Sequence, residues 1–266
     1  MKIGIIGCGV MGEIIAGALV KKSIVEKSQL IISNRDEEKR DRVSHTLGIR
    51  TTGNNNEVVD FSDLIIVCIK PQNTPELFKE LRAKLNEHQF VISIMAGIRI
   101  EALQNELQHK KIIRSMPNLT ARIAEGMTVW MASDEIENFQ KMIAKMIFQS
   151  FGKEIEVFTE DLLNSATAIS GTGPAYIYYF AEHLMKAALE LGFNNKDVHK
   201  LVQQTFKGAM DLWNEGHEEP EALRLKVTSK GGTTEAATKF LNTANVGKLF
   251  QDAVKAAYER SKELGK

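Results

Sequence analysis

Three glycine-rich stretches and one strand end carry most of the chemistry-bearing residue types in this 266-residue chain. The first stretch, Gly7-Cys8-Gly9-Val10-Met11-Gly12, follows a short apolar run and precedes a helical pattern. In that setting Gly7 permits a tight turn, Gly9 lets backbone approach a pyrophosphate, and Gly12 lets helix and strand pack closely. Amides at the helix N-terminus then face phosphate oxygens. The alternative, a structural turn with incidental glycines, is disfavoured by the strand before it and the helix after it.

The end of the second strand reads Ser33-Asn34-Arg35-Asp36. A site for NAD usually places an acid there to bind the ribose 2′-hydroxyl. Here a hydroxyl, an amide and a guanidinium come first, which suits a 2′-phosphate, so NADPH is expected over NADH. On the plainer reading, Arg35 is a surface charge and Asp36 a helix cap. Later strands of an open parallel sheet should end at the same ligand, which points to Cys68, Ile69, Lys70 and Pro71, and to Met95, Ala96 and Gly97. Small Ala96 and Gly97 suit a place where backbone approaches the nicotinamide. Lys70 is equally well a charge leaving the sheet.

The second half offers Ser170-Gly171-Thr172-Gly173-Pro174-Ala175 and Val227-Thr228-Ser229-Lys230-Gly231-Gly232-Thr233-Thr234. Each sets hydroxyls and glycines ahead of a helix, where successive amides can cradle an anion such as a carboxylate. A capped helix with a flexible lead-in is the even alternative for either one alone. Neither holds a histidine or paired carboxylates. Hydride transfer needs mainly positioning plus one donor, and Ser or Thr can serve a weakly basic nitrogen.

The elements that must position these groups divide the chain in two. Strands are expected at 3–6, 30–33, 64–69, 90–94, 112–116 and 128–131, with a short one at 154–157. Helical stretches lie between them near 10–22, 36–47, 74–85, 100–108 and 136–149, the pattern of a parallel sheet wound with helices. After about Asp161 the periodicity is helical throughout. The fold expected is therefore α/β, a doubly wound sheet over 1–158 followed by an all-helical domain over 159–266. The helix after Pro174 carries Tyr176, Tyr178 and Tyr179 and has few polar faces, which suggests burial at a subunit interface.

Composition removes several classes. Lys plus Arg equals Asp plus Glu at 34 each, so no basic stripe marks a nucleic-acid partner. No apolar stretch approaches the ~20 residues that span a bilayer, and no leader pattern precedes the first strand. Cys8 and Cys68 lack a framework spacing and read as reduced thiols of a cytoplasmic protein. The six histidines, at 45, 88, 109, 183, 199 and 217, are scattered, so no metal site is expected.

The whole chain resembles the pyrroline-5-carboxylate reductases. The matching segments are GCGVMG (7–12), CIKP (68–71), SIMAGI (93–98), RSMPN (114–118), ATAISGTGPAY (166–176) and VTSKGGTT (227–234). The resemblance implies NAD(P)H-dependent reduction of 1-pyrroline-5-carboxylate to L-proline, the last step of proline biosynthesis. It also implies a Rossmann-like domain, a helical dimerisation domain, and homodimers that can assemble into decamers. It carries cofactor contacts onto Ile6, Gly7, Cys8, Gly9, Val10, Met11, Ser33, Asn55, Cys68, Ile69, Lys70, Pro71, Met95, Ala96 and Gly97. The substrate loop falls on Ser229, Gly231, Gly232, Thr233 and Thr234, with amides near Gly232–Thr234 on the carboxylate and the Thr234 hydroxyl on the ring nitrogen. The active site is implied to lie between one subunit's Rossmann domain and helices contributed with its dimer mate. Two departures stand out: Leu119-Thr120 where many members read Thr-Pro, and Lys230 where many have Pro. A β-hydroxyacid dehydrogenase is a weaker fit, because the first lysine after SGTGPA is Lys186, in an otherwise apolar helix.

Overall fold

The computed structural model of the chain describes residues 1–216 and 218–264. His217 and the last two positions of the expected helical domain lie outside the described residues. The sheet has eight strands: β1 (Ile3–Ile6), β2 (Leu30–Ser33), β3 (Arg50–Thr52), β4 (Leu64–Val67), β5 (Phe90–Ser93), β6 (Ile112–Met116), β7 (Gly126–Ala132) and β8 (Gly152–Glu156). Their order is β3-β2-β1-β4-β5-β6-β7-β8, so the chain winds one way from β1 and the other way from β4. The doubly wound α/β expectation holds.

β1, β2, β4 and β5 are buried at every position, as central strands covered on both faces must be. The helices that cover them are α1 (Val10–Lys21), α2 (Glu37–Leu47), α3 (Asn55–Phe61), α4 (Thr74–Leu81) and α5 (Ile100–Leu107). They make two apolar layers, one built on Ile3, Ile5, Leu19 and Ile32 and the other on Ile6, Ile31, Leu77 and Leu103.

The structure departs from the expected pattern in three places. β6 and β7 are antiparallel, although β7 and β8 are parallel. The link from Met116 to Gly126 holds only a short turn at Leu119–Ile123, and a parallel return needs a crossover of a dozen or more residues. α6 (Asn138–Gln149) supplies such a crossover between β7 and β8. β4 ends at Val67 rather than at 69, because its register with β1 and β5 stops there. β3 and α3 were not anticipated: β3 is a short, polar edge strand, and α3 has seven residues capped by Asn54.

Beyond the sheet come α7 (Asp161–Ala166), a wide π-type turn at Thr167–Gly171, α8 (Gly173–Glu190), α9 (Asn195–Glu215), α10 (Pro220–Lys226), α11 (Thr233–Thr243) and α12 (Val246–Glu263). Contacts group residues 1–172 with 257–266 as one compact unit and 173–256 as a second. The first unit thus runs past the sheet and recovers the C-terminal end of α12. Tyr258 donates its hydroxyl to Asp161 at 2.6 Å, and the Ser261 hydroxyl reaches Asn164. Among the described residues no helix is long and apolar enough to cross a membrane.

Arg114, on β6, is 2% exposed and donates to Glu160 at 2.8 Å and to Asn164 at 3.0 Å. Burial lowers its pKa while Glu160 opposes the shift. Removing one partner of a buried pair strands the other, although Glu160 keeps Arg99 and the Ile100 amide. Arg114→Met is therefore expected to destabilise the fold by about 2 kcal/mol in urea titration.

His109 is also buried. Its Nε2 lies 2.9 Å from the Gln89 carbonyl, and its pKa is lowered, mainly by burial. The unfolded chain takes up this proton first as pH falls, so stability should drop below about pH 6.5 and level off under the folded-state pKa. A chemical-denaturation series between pH 8 and 5 reads this directly, and His109→Gln should flatten that part of the profile.

Candidate active site

The chain reverses its winding direction between β1 and β4, and there a cleft of about 380 Å³ opens. Ile6, Gly7 and Gly9 form its floor, Ser33, Asn34 and Arg35 one wall, and Cys68, Ile69 and Lys70 the other. Asn55 closes one side. These ten are among the residues marked in the sequence. Cys8, Val10, Met11, Gly12, Pro71, Met95, Ala96 and Gly97 do not line this cleft. Met95 to Gly97 follow β5, the neighbour of β4, while Pro71 opens a short turn after Lys70.

The glycine turn is built for close backbone approach. The Gly7 amide donates to Ser33 O at 3.0 Å, and Cys68 N donates to Ile6 O at 2.8 Å, so the turn is pinned to both neighbouring strands. Gly7 has φ +107, and a β-carbon at Gly12 would lie 2.0 Å from the Gly7 carbonyl oxygen. A β-carbon at Gly9 would meet nothing within 4 Å, so the space over the N-terminus of α1 is open. No side chain caps that helix. Its first amides have no carbonyl one turn earlier to satisfy them, so they suit a phosphate.

At the end of β2 the Asp36 carboxylate caps α2, accepting from Lys39 N at 3.2 Å and pairing with Lys39 Nζ at 3.1 Å. Hydrogen bonding from Lys39 holds its pKa below the usual carboxylate range. It thus caps α2 while also lining the cleft. Arg40 donates to the carbonyls of Asn34 at 2.8 Å and Arg35 at 3.0 Å, which fixes the backbone that carries Arg35. The Ser33 hydroxyl donates to Asn55 Oδ1 at 2.7 Å.

Lys39, Asp36, Asn73 and Leu77 complete the lining, and the sequence reading did not assign any of them to the site. In Arg35-Asp36-Glu37-Glu38-Lys39-Arg40 the lysine looks like part of a solvated helix face. Its place one turn into the helix that follows β2 is the signal that could have found it.

Neither thiol is poised for chemistry. Burial raises the Cys8 pKa to about 11 and pushes Cys68 up further. Among the described residues no group of three or more His, Cys, Asp or Glu could hold a metal ion.

In the second unit, Gly231 takes φ +72 and the Gly232 amide donates to Ser229 O at 3.0 Å. Gly232 is the N-cap of α11. The Gly231 amide donates to the Glu235 carboxylate at 2.6 Å, so this loop already binds a carboxylate of its own chain. Amides of Thr233 and Thr234 occupy the first turn, where no intrahelical partner exists. Beside the loop a shallow groove of about 660 Å³ is lined by Gly231, Gly232, Glu235, Ala236 and Lys239, among others. Ser229, Thr233 and Thr234 do not line it. Lys230 is exposed.

The other glycine-rich stretch behaves differently. The amide and hydroxyl of Thr172 both donate to Thr167 O at 2.8 Å, inside the wide turn, so they are not free for an anion. Leu119-Thr120 does not leave its turn loose, because the Thr120 hydroxyl bonds Asn118 Oδ1 at 2.8 Å and Glu125 O at 2.7 Å.

A glycine cradle at the switch point of a doubly wound sheet, followed by a helical unit, defines a Rossmann-type dinucleotide-binding protein. Residues 160–264 match the family model described as pyrroline-5-carboxylate reductase dimerisation, and residues 2–97 match one described as NADP oxidoreductase, coenzyme F420-dependent. The chain is 35% identical to the pyrroline-5-carboxylate reductase of Synechocystis, covering 100% of this chain and 99% of that one. It is 32% identical to that of Escherichia coli, covering 100% and 98%. The Plasmodium falciparum pyrroline carboxylate reductase, solved with NADP bound, superposes with a TM-score of 0.91 at 27% identity, covering 100% and 98%. The chain belongs to the pyrroline-5-carboxylate reductase family.

Proposed function

We infer that the protein reduces the C=N bond of 1-pyrroline-5-carboxylate to give L-proline, the last step of proline biosynthesis, with NADPH preferred and NADH as the alternative donor. The observation that carries this reading is full-length kinship, 35% identity over 100% of the chain, and the chain keeps Ser229, Gly231, Gly232 and Thr234 in the glycine-rich loop that leads into α11. The residues around the first cleft fit the cofactor. Amides of α1 at Val10, Met11 and Gly12 take the pyrophosphate, Gly9 leaves it room, and Arg35 with Lys39 and Asn34 takes the 2′-phosphate. Met95, Ala96 and Gly97 serve the nicotinamide end.

When bound, NADPH supplies a hydride to the imine carbon, which becomes C5 of proline. The chain's own groups hold the substrate and handle the proton. Thr233 and Thr234 amides bind the carboxylate, with Gly231 and Gly232 shaping the loop. The Thr234 hydroxyl donates to the ring nitrogen, and Ser229 supports the loop through its carbonyl bond to Gly232. Direct positioning is enough for this chemistry, because an imine nitrogen is basic and needs no strong acid.

The functional division we propose is 1–158 for the nucleotide and 159–266 for substrate and assembly. Tyr178, Phe180, Leu184 and Leu191 are exposed on the single chain, which supports a homodimer built on this region, with decamers of such dimers as the larger assembly. We also propose a cytoplasmic location, supported by two cysteines that are both free thiols. Incubation with 1-pyrroline-5-carboxylate and NADPH should yield L-proline in amounts equal to the NADPH consumed. Cofactor oxidation without proline, or no oxidation at all, would overturn the reading.

A further inference from the structure

Two carboxylates of α4 bond residues that line the cleft at the end of β2, without lining it themselves. Glu76 pairs with Arg35 through Nη1. Glu80 accepts from Asn55 Nδ2 at 2.8 Å, and Asn55 accepts from Ser33 at 2.7 Å. Arg35, Asn55 and Ser33 all line the cleft, as do Asn73 and Leu77 on either side of Glu76. Arg35 directly, and Ser33 through Asn55, are therefore already tied to the protein's own acids.

Resting on the cofactor reading above, we propose that Glu76 is an internal competitor for Arg35 and sets how strongly the site prefers a 2′-phosphate over a 2′-hydroxyl. The planar guanidinium binds phosphate best through two parallel N–H donors. Glu76 occupies one of them. An arriving phosphate must displace that carboxylate or bind beside it against like-charge repulsion. A 2′-hydroxyl meets no such repulsion and can donate to a carboxylate. Glu76 thus weakens NADP(H) and spares NAD(H). Arg35 and Glu76 are 70% and 66% exposed in their side chains, so the effect is modest and salt-screened.

The test is calorimetric binding of NADP⁺ and NAD⁺ to the wild-type chain, E76Q, R35A and the double variant, at low and high salt. E76Q should bind NADP⁺ about threefold more tightly at low salt, with NAD⁺ almost unchanged and the gain shrinking in high salt. R35A should weaken NADP⁺ about tenfold and abolish the gain from E76Q. An unchanged NADP⁺/NAD⁺ ratio in E76Q, weaker NADP⁺ binding, or a gain that survives R35A would overturn the proposal while leaving the cofactor assignment standing. Failure of the wild-type chain to bind either nucleotide would overturn both.

Discussion

Gly9→Ala and Gly12→Ala should each raise the dissociation constant for NADP⁺, by at least about a hundredfold for Gly12, yet they should part company in stability. At Gly12 the added methyl would sit 2.0 Å from the Gly7 carbonyl oxygen. That oxygen is backbone and cannot swing aside, so α1 must shift away from the turn. The strain lowers Tm by about 5 °C or more and spoils the cradle together. At Gly9 the methyl meets nothing in the protein within 4 Å. The fold should lose no more than about 3 °C, mainly from a poorer N-cap. The methyl instead occupies space that the pyrophosphate needs. Thermal melts beside nucleotide titrations separate the two. Unchanged NADP⁺ affinity in Gly9→Ala would mean the open space over α1 is not where the phosphate lies.

The second large effect is expected at Thr234. Thr234→Ala keeps the backbone amide in the first turn of α11, so the carboxylate hold survives and only the hydroxyl goes. If that hydroxyl relays a proton from water to the ring nitrogen, giving up its own as it takes one from the water, kcat should fall about a hundredfold while NADPH affinity stays within about twofold. Thr234→Ser should recover most of the rate. Unchanged turnover in the alanine variant would mean that the proton comes from water without Thr234, or that the imine arrives already protonated, and would leave Thr234 with a binding role only.

The segments most legible in the sequence were those whose local pattern has one structural answer. The apolar run ending at Ile6, the glycine turn and α1 announced one another, and the run from Leu64 could only be a covered strand. β3 was invisible because an edge strand of Arg50, Thr51 and Thr52 has no apolar face to show. The antiparallel turn into β7 depends on the length of a connection, a feature that hydrophobic periodicity does not carry. Long-range pairings were equally hidden. Arg114 finds Glu160 across 46 positions, and Arg35 finds Glu76 across 41, so neither spacing hints at contact. The same holds for the site. Gly7, Gly9, Ser33 and Arg35 follow from motif physics, and Asn55 came only through resemblance. Lys39 and Asn73 became visible when the strands set α2 and the turn after β4 beside the cleft.

Transfer of isotope from cofactor to product tests the whole account most directly. With NADPH carrying deuterium at the transferable C4 position and 1-pyrroline-5-carboxylate in ordinary water, the predicted product is L-proline with one deuterium at C5. Proline without the label, or label left on the nucleotide after the substrate has been offered, would contradict it.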